Sequence, residues 1–386
     1  MSGTILDVNI SASEHSKQMA GYIKEGIKRA ECLNNRGPVR FDGNGNIHSN
    51  ILNSYWEHGF YVFTNVLRPE ELNLLRLEVD RLLHEAPNEP TDSVQGLPAA
   101  SIPGLKTPPY RFAKPLSDPL GGTSKNKGRH PVQMLNPIPA KSAPKFTIEM
   151  LWGNLHLSDA FLRLYGHPDL LAVASAVNGP DFVPYNEVTF IKEPGIGPSV
   201  AWHQDGTTHW QSPDWDQGAH GFNFMTQLYP STAGNGVWVV PGTHKLGKVD
   251  ISQLVLDSGS ERIANAVPML CDSGDVIIAN RQLVHGSFAN SSSDRRVTIN
   301  AGFFPRKRVL NIETSRLDGV VEKFTADRIY KRSKLIPLAI NARKKFYHHE
   351  VSFNYLPLQD LGKEISWNEK NRDSILKNYN LNDMYI

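Results

Sequence analysis

Apolar residues recur at helical spacing between residues 48 and 86. Ile51, Leu52, Tyr55 and Trp56 mark a first helix, Gly59 breaks it, and the β-rich run Phe60-Tyr61-Val62-Phe63 follows. A second helix opens with Pro69 in its first turn and sets Leu72, Leu75, Val79, Leu82 and Leu83 on one stripe. This helix-strand-helix unit predicts two helices packed on a sheet, with residues 1–47 left as an N-terminal extension. From Pro87 to Pro144 the periodicity vanishes and 12 of the chain's 26 prolines collect. So long an irregular stretch is either disordered or a functional loop, and residues 87–146 are read as a lid or insert. A helical region is expected at about 147 to 165, and His167-Pro168-Asp169 opens a further short helix that ends before Asn178-Gly179-Pro180.

Beyond residue 181 the texture turns to short apolar runs. Val188-Thr189-Phe190-Ile191, Phe222-Asn223-Phe224-Met225, Val237-Trp238-Val239-Val240, Val276-Ile277-Ile278 and Val297-Thr298-Ile299-Asn300 are separated by Gly, Pro and Asn turns. Such a series predicts a sandwich or jelly roll over residues 181–305. Short helical patterns and basic residues return over 306–386 as a C-terminal cover. The expected fold is therefore mainly β with flanking helices, in one domain of 386 residues.

Composition narrows the function classes. With 40% hydrophobic and 21% charged residues the chain is an ordinary globular protein. Its 41 basic and 39 acidic side chains leave a net charge of +2, too near balance to predict binding to nucleic acid or a membrane surface. No segment approaches the ~20 apolar residues of a membrane span. The first thirty residues are interrupted by Glu14, Lys17, Lys24, Glu25, Lys28 and Arg29, so they lack a secretory apolar core, and the C-terminal Asp-Met-Tyr-Ile is not a peroxisomal address. Cys32 and Cys271 form neither a disulfide framework nor a thiolate metal site, which suits a reducing compartment, most simply the cytoplasm.

One segment carries metal chemistry. Trp202-His203-Gln204-Asp205-Gly206 sets a histidine and a carboxylate two residues apart at the end of a strand, and a period of two turns both to the same face. A third ligand, His285, would come from the strand region Val276 to Ser287, giving two histidines and one carboxylate around an ion with open positions. A chain with 14 histidines carries about one His-x-Asp match by chance, and His167-Pro168-Asp169 is a second one, explained by its helix start. His209, His220 and His244 compete with His285 as third ligand.

The ordered set Asn186, Lys192, Trp202-His203-Gln204-Asp205-Gly206, Asn235-Gly236, Val240-Pro241-Gly242-Thr243-His244-Lys245, Gly274-Asp275 and His285-Gly286-Ser287 resembles the phytanoyl-CoA hydroxylase family. So does the opening Trp56-x-x-Gly59-Phe60-Tyr61-Val62 with Leu67-x-x-Glu70-Glu71-Leu72. The resemblance spans roughly residues 48 to 305 and implies a double-stranded β-helix, a jelly-roll barrel of the cupin kind, with the metal at one mouth. It implies that His203, Asp205 and His285 bind iron(II) and that Arg296, 11 residues after His285, pairs with the distal carboxylate of 2-oxoglutarate. Independently, Arg296, Thr298 and Asn300 alternate with Val297, Ile299 and Ala301, and a guanidinium fork suits a carboxylate. Arg295 is the alternative on the opposite strand face. Ser287 fits the family's hydroxyl donor to that carboxylate, with a plain turn serine as the other reading. Asn186 and Lys192 are cosubstrate or substrate contacts, or else a turn asparagine and a solvated lysine.

The resemblance implies oxidation of a small molecule by dioxygen, with 2-oxoglutarate converted to succinate and carbon dioxide. Hydroxylation of an unactivated C–H bond is expected first, and desaturation, epimerisation and cyclisation use the same triad. Related halogenases replace the carboxylate ligand by a small residue, so Asp205 argues against halogenation. A non-catalytic ligand-binding member of the fold and a zinc hydrolase are the readings from other classes, and Arg296 has no natural role in the latter. For the substrate pocket, His209, Trp210, Trp215, Phe222 and Phe224 supply one side. The other is the insert, where residues 93–148 hold eight basic side chains (Lys106, Arg111, Lys114, Lys125, Lys127, Arg129, Lys141, Lys145) against one acidic, Asp118.

Overall fold

The structure is a computed structural model and describes residues 10–102, 105, 107–205, 221–315, 321–377 and 379. The N-terminal extension is not plain coil. It forms a 21-residue helix, α1 (Ala12–Cys32), started by a reciprocal cap in which Glu14 N–H donates to Ser11 Oγ and Ser11 N–H to the Glu14 carboxylate. After β1 (Arg36–Gly37), the unit of α2 (Ser49–His58), β2 (Phe60–Phe63) and α3 (Pro69–His84) follows the sequence reading. Gly59 ends α2 at φ 85°, where a Cβ would lie 2.5 Å from His244 Nδ1, so only glycine serves there.

The next stretch departs from expectation in two places. The proline-rich segment contains a strand, β3 (Tyr110–Ala113), and the region expected to be helical begins as β4 (Thr147–Leu151). Pairing decides this: β4 takes β3 on one side and β5 (Phe182–Lys192) on the other, and sheet partners outweigh the weak helical spacing of five residues. Only after β4 do α4 (Asn154–Leu157), α5 (Asp159–Tyr165) and α6 (Pro168–Asn178) appear.

Seven more strands complete the β-rich region: β6 (Val200–His203), β7 (Phe222–Gln227), β8 (Trp238–Val240), β9 (Val267–Pro268), β10 (Val276–Asn280), β11 (Val284–Ser287) and β12 (Arg296–Pro305). Helix α7 (Ile251–Ser258) lies between β8 and β9. The run Val276 to Ser287, read as one strand region, is two strands in different sheets. The large sheet has the order β1-β2-β10-β7-β12-β5-β4-β3 and the small one β6-β11-β8-β9. From β5 to β12 the chain thus steps back and forth between two facing sheets, which is the double-stranded β-helix, or jelly roll. The C-terminal part adds α8 (Arg306–Val309), the hairpin of β13 (Glu313–Ser315) and β14 (Val321–Lys323), α9 (Ala326–Ser333), α10 (Leu335–Phe346) and α11 (Glu369–Leu376).

Each sheet is apolar on its outer face and covered there. Leu75, Leu82, Leu162, Phe182, Phe222, Phe303 and Leu335 form the main core between the large sheet and α2 to α6 and α10. Arg343 of α10, almost fully buried, ties this cover to α3 through a paired bond to Glu71 at 2.6 and 3.0 Å. On the far side α1 covers the small sheet, with Tyr22 stacked on Trp238 at 4.5 Å and edge-on to Phe288. The inner faces of the two sheets are left to enclose a cavity. Among the described residues no helix is long and apolar enough to cross a membrane.

Candidate metal centre

His203 closes β6, and its antiparallel partner in β11 is His285. Residues opposite each other in such a ladder carry their side chains within reach of one another, and the two imidazoles lie 4.0 Å apart between ring centres. Each Nδ1 meets the carbonyl of the residue two before it at 2.8 Å, Ala201 for His203 and Leu283 for His285. A carbonyl only accepts, so each Nδ1 carries the proton and each Nε2 presents a lone pair inward. Asp205 sits just beyond the strand, anchored by its N–H to the Arg281 carbonyl at 2.8 Å, and its Oδ1 is 3.6 Å from His203 Nε2. One ligand atom from each of the three lies within 4.8 Å of the others.

The surroundings keep His285 and Asp205 in their ligand forms. Burial, then the neighbouring His203, pushes the His285 imidazole down to about 3, so it is neutral at neutral pH. Burial would raise the Asp205 carboxyl, but Arg281, His203, His285 and Arg129 around it together hold it well below the usual carboxylate range. Asn223 donates to Asp205 Oδ2 at 3.0 Å, and Arg281 in turn donates to Asn223 Oδ1 at 3.2 Å. Two imidazole nitrogens and an oriented carboxylate form a donor set that fits iron(II) and leaves half an octahedron open.

These residues open into a cavity of about 190 Å³ between the sheets. On β12 the alternation puts Arg296, Thr298 and Asn300 on the cavity wall and Val297 and Ile299 in the helix-side core. Arg296 is 2% exposed; its Nη1 donates to the Asn235 carbonyl at 3.1 Å, and its Nε has no partner among the described residues. Burial lowers it to about 10. Ser287 Oγ is likewise buried, on the cavity wall and unpartnered. A guanidinium and a hydroxyl left unsatisfied in one pocket are what a carboxylate ligand would satisfy. Arg295 instead lies near the surface, bonded to Asp80 at 2.8 Å, Glu193 at 3.0 Å and Tyr229 Oη at 3.1 Å.

Other expectations fare differently. Lys192 is paired with Arg296 across the sheet, and its ammonium donates to the Phe288 carbonyl. Burial, with Arg296 beside it, holds Lys192 well below the usual lysine range. Asn186 belongs to β5, but its side chain lies outside the described residues, as do His209, Trp210, Trp215 and His220. Phe222 and Phe224 are a correction: they do not face the cavity but pack with Phe303 in the helix-side core, at 4.7 to 6.0 Å between rings. Asn223 and Met225 hold the cavity side of that strand. His244 is structural, its Nε2 3.0 Å from the Trp56 carbonyl.

The sequence reading did not single out Arg281, Asn223 or His130. His130 follows Arg129 in the insert, its ring 4.4 Å from that of His203 and its Nδ1 buried without a partner among the described residues. Burial, then His203 and Arg129, hold it far below ordinary imidazole behaviour. Arg129 reaches Asp205 Oδ1 at 3.5 Å. Its signal was present only as one of eight basic residues in the insert.

The family model for phytanoyl-CoA dioxygenase (PhyH) matches residues 55–298. A protein of Oryza sativa subsp. japonica named phytanoyl-CoA dioxygenase 1 is 27% identical over 161 residues, which cover 39% of this chain and 56% of that protein. The chain thus spans little more than half the length of this relative. Among solved structures, EctD from S. alaskensis with 2-oxoglutarate and 5-hydroxyectoine matches at 17% identity and TM-score 0.49, over 71% of this chain and 82% of that one. AviO1 from Streptomyces viridochromogenes Tue57 matches at 20% identity and TM-score 0.45, over 66% and 94%. The epimerase SnoN from nogalamycin biosynthesis, described as non-heme and alpha-ketoglutarate-dependent, matches at 17% and TM-score 0.43, over 66% and 82%.

Proposed function

The chain belongs to the phytanoyl-CoA dioxygenase family, and we propose that it hydroxylates an unactivated C–H bond of a small organic molecule with iron(II), 2-oxoglutarate and dioxygen. The observation that carries this reading is one cavity holding both His203, Asp205 and His285, with ligand atoms within 4.8 Å, and the unsatisfied pair Ser287 and Arg296. The first set suits a metal with open positions, and the second a carboxylate.

His203 and His285 would hold the iron through Nε2, and Asp205 through a carboxylate oxygen. Arg296 and Ser287 would take the distal carboxylate of 2-oxoglutarate, the arginine by charge and the serine by its hydroxyl proton. When bound, iron and 2-oxoglutarate activate dioxygen for C–H oxidation, and the ketoacid leaves as succinate and carbon dioxide. Asn223 and Arg281 hold Asp205 in place, while the Ala201 and Leu283 carbonyls fix both imidazole tautomers. Met150, Trp152 and Phe190 form an apolar wall that limits water around the reacting carbon.

Succinate formation from 2-oxoglutarate, followed over a panel of small molecules with iron(II) and air, tests this reading. A substrate should stimulate succinate release and gain one oxygen atom by mass. Asp205→Ala should abolish both while the circular dichroism spectrum is kept. Zinc-dependent hydrolysis without ketoacid consumption would exclude the proposal.

A further inference from the structure

Charge around the cavity is not balanced by the groups assigned so far. Arg111, Arg129, Arg281 and Arg296 line it, and Asp205 is the one carboxylate among the described lining residues. Arg111 is neutralised by Glu149 directly behind the wall, and buried Lys192 has Asp118 and Glu149 near it. Iron(II), Asp205, dianionic 2-oxoglutarate and Arg296 would together be neutral. Among the described residues Arg129 and Arg281 then have only Asp205, already matched by the metal, as an anion, and a buried or half-buried cation without one of its own is costly.

The two arginines differ in how firmly they are held. Arg281 lies against the rings of Tyr185 and Phe304, at 4.8 and 5.2 Å, and is bonded to Asn223, so its place is fixed by the barrel. Arg129 arrives from the insert and faces the opposite oxygen of Asp205, at 3.5 Å against 3.6 Å for Arg281. Among the described residues its Nε is buried without a partner, and so is Nδ1 of the adjoining His130, which is 1% exposed and lines the same cavity. Two buried polar atoms without a partner among the described residues, Arg129 Nε and His130 Nδ1, thus stand beside the metal ligands. The same cavity is lined by the apolar side chains of Leu120, Met150, Trp152 and Phe190.

We infer that the substrate carries an anionic group, a carboxylate or a phosphate monoester, bound by Arg129 with His130 beside it. Because Arg129 touches a metal ligand, the bond oxidised lies only a few bonds from that anion, and the apolar wall takes the rest of the molecule. This rests on the oxygenase reading above and adds the substrate's charge and the position of attack to it.

The test is calorimetric binding of phenylacetate, phenyl phosphate and neutral phenylacetamide to the full chain loaded anaerobically with iron(II) and 2-oxoglutarate. At least one anion should bind about tenfold or more tighter than the amide, and which one does so separates carboxylate from phosphate. Arg129→Gln should abolish that preference and Arg129→Lys keep part of it. Lys127→Gln, an exposed neighbour, should leave it intact, and 2-oxoglutarate affinity should be the same in all. Equal binding of the three compounds, or a preference that survives Arg129→Gln, overturns the inference. Protein that prefers the anion yet never forms succinate would contradict the oxygenase reading and leave the anion site standing; succinate formation without the preference would do the reverse.

Discussion

His15 and His244 are both buried, and both are held neutral to unusually low pH. Burial, then Arg262 and Lys192, lowers His15 to about 4, and burial, with Lys245 and His58 nearby, lowers His244 to about 4 against the pull of its bond to the Trp56 carbonyl. In the unfolded chain each takes its proton near 6.5, as an ordinary histidine does. Between these limits the unfolded state binds more protons, so stability is full above about 6.5 and is lost as pH falls toward 4. Melting temperature of the metal-free protein should fall across that window, and the His15→Gln/His244→Gln double variant should show a shallower slope; identical slopes would contradict it. The same scale shows how far alternation can be read. It separated Arg296 from Arg295 because one strand face is polar and the other apolar. It misplaced Phe224 because the central strand β7 is buried on both faces, and periodicity gives two faces without saying which looks into the cavity.

At the scale of elements, the insert is held by the one acidic residue in its basic run. The Asp118 carboxylate accepts the N–H groups of Leu120 at 3.1 Å, Gly121 at 2.8 Å and Met134 at 2.8 Å, and the Asp118 N–H donates to Asn136 Oδ1 at 2.6 Å. A carboxylate bound to three amides closes the loop from which Arg129 and His130 project. Asp118→Ala should cost on the order of 3 kcal/mol locally, speed limited proteolysis between residues 118 and 136, and raise the KM for substrate more than it lowers kcat. Unchanged cleavage would mean that the segment is ordered by its other contacts. Elements with strong punctuation were legible in sequence: Gly59 and Pro69 bounded α2 and α3 correctly. Elements decided by partners were not. Residues 147–151 form β4 because β3 and β5 flank them, and α1 gains its stability from Trp238 and Phe288, neither of which is near it in sequence. Tyr22→Ala removes the stack on Trp238 and the bond to the Ile263 carbonyl at 2.8 Å. A loss of about 3 kcal/mol is expected in chemical denaturation, and a loss below about 1 kcal/mol would make α1 a loosely docked arm.

For the molecule as a whole, two facing sheets between an outer layer of helices and α1 leave one enclosed mouth, and β6, β11 and β12 bring residues more than eighty positions apart in sequence to it. The jelly roll could be read from the succession of short strands and the motif order, because each strand carries its own apolar run and turn. The orientation of the mouth could not, since the insert that lines part of it has no period to read. The account stands on one claim, that a single cavity binds iron through His203, Asp205 and His285 and 2-oxoglutarate through Arg296. Anaerobic titration of the iron(II)-loaded protein with 2-oxoglutarate, followed by the charge-transfer absorption band of the iron-ketoacid complex, measures both halves at once. The band should saturate in the native chain and be absent in His285→Ala. Its midpoint should rise in Arg296→Ala by the equivalent of roughly 2 to 5 kcal/mol, and shift little in Arg295→Ala. No band in the native chain, or a larger shift in Arg295→Ala than in Arg296→Ala, would contradict the account.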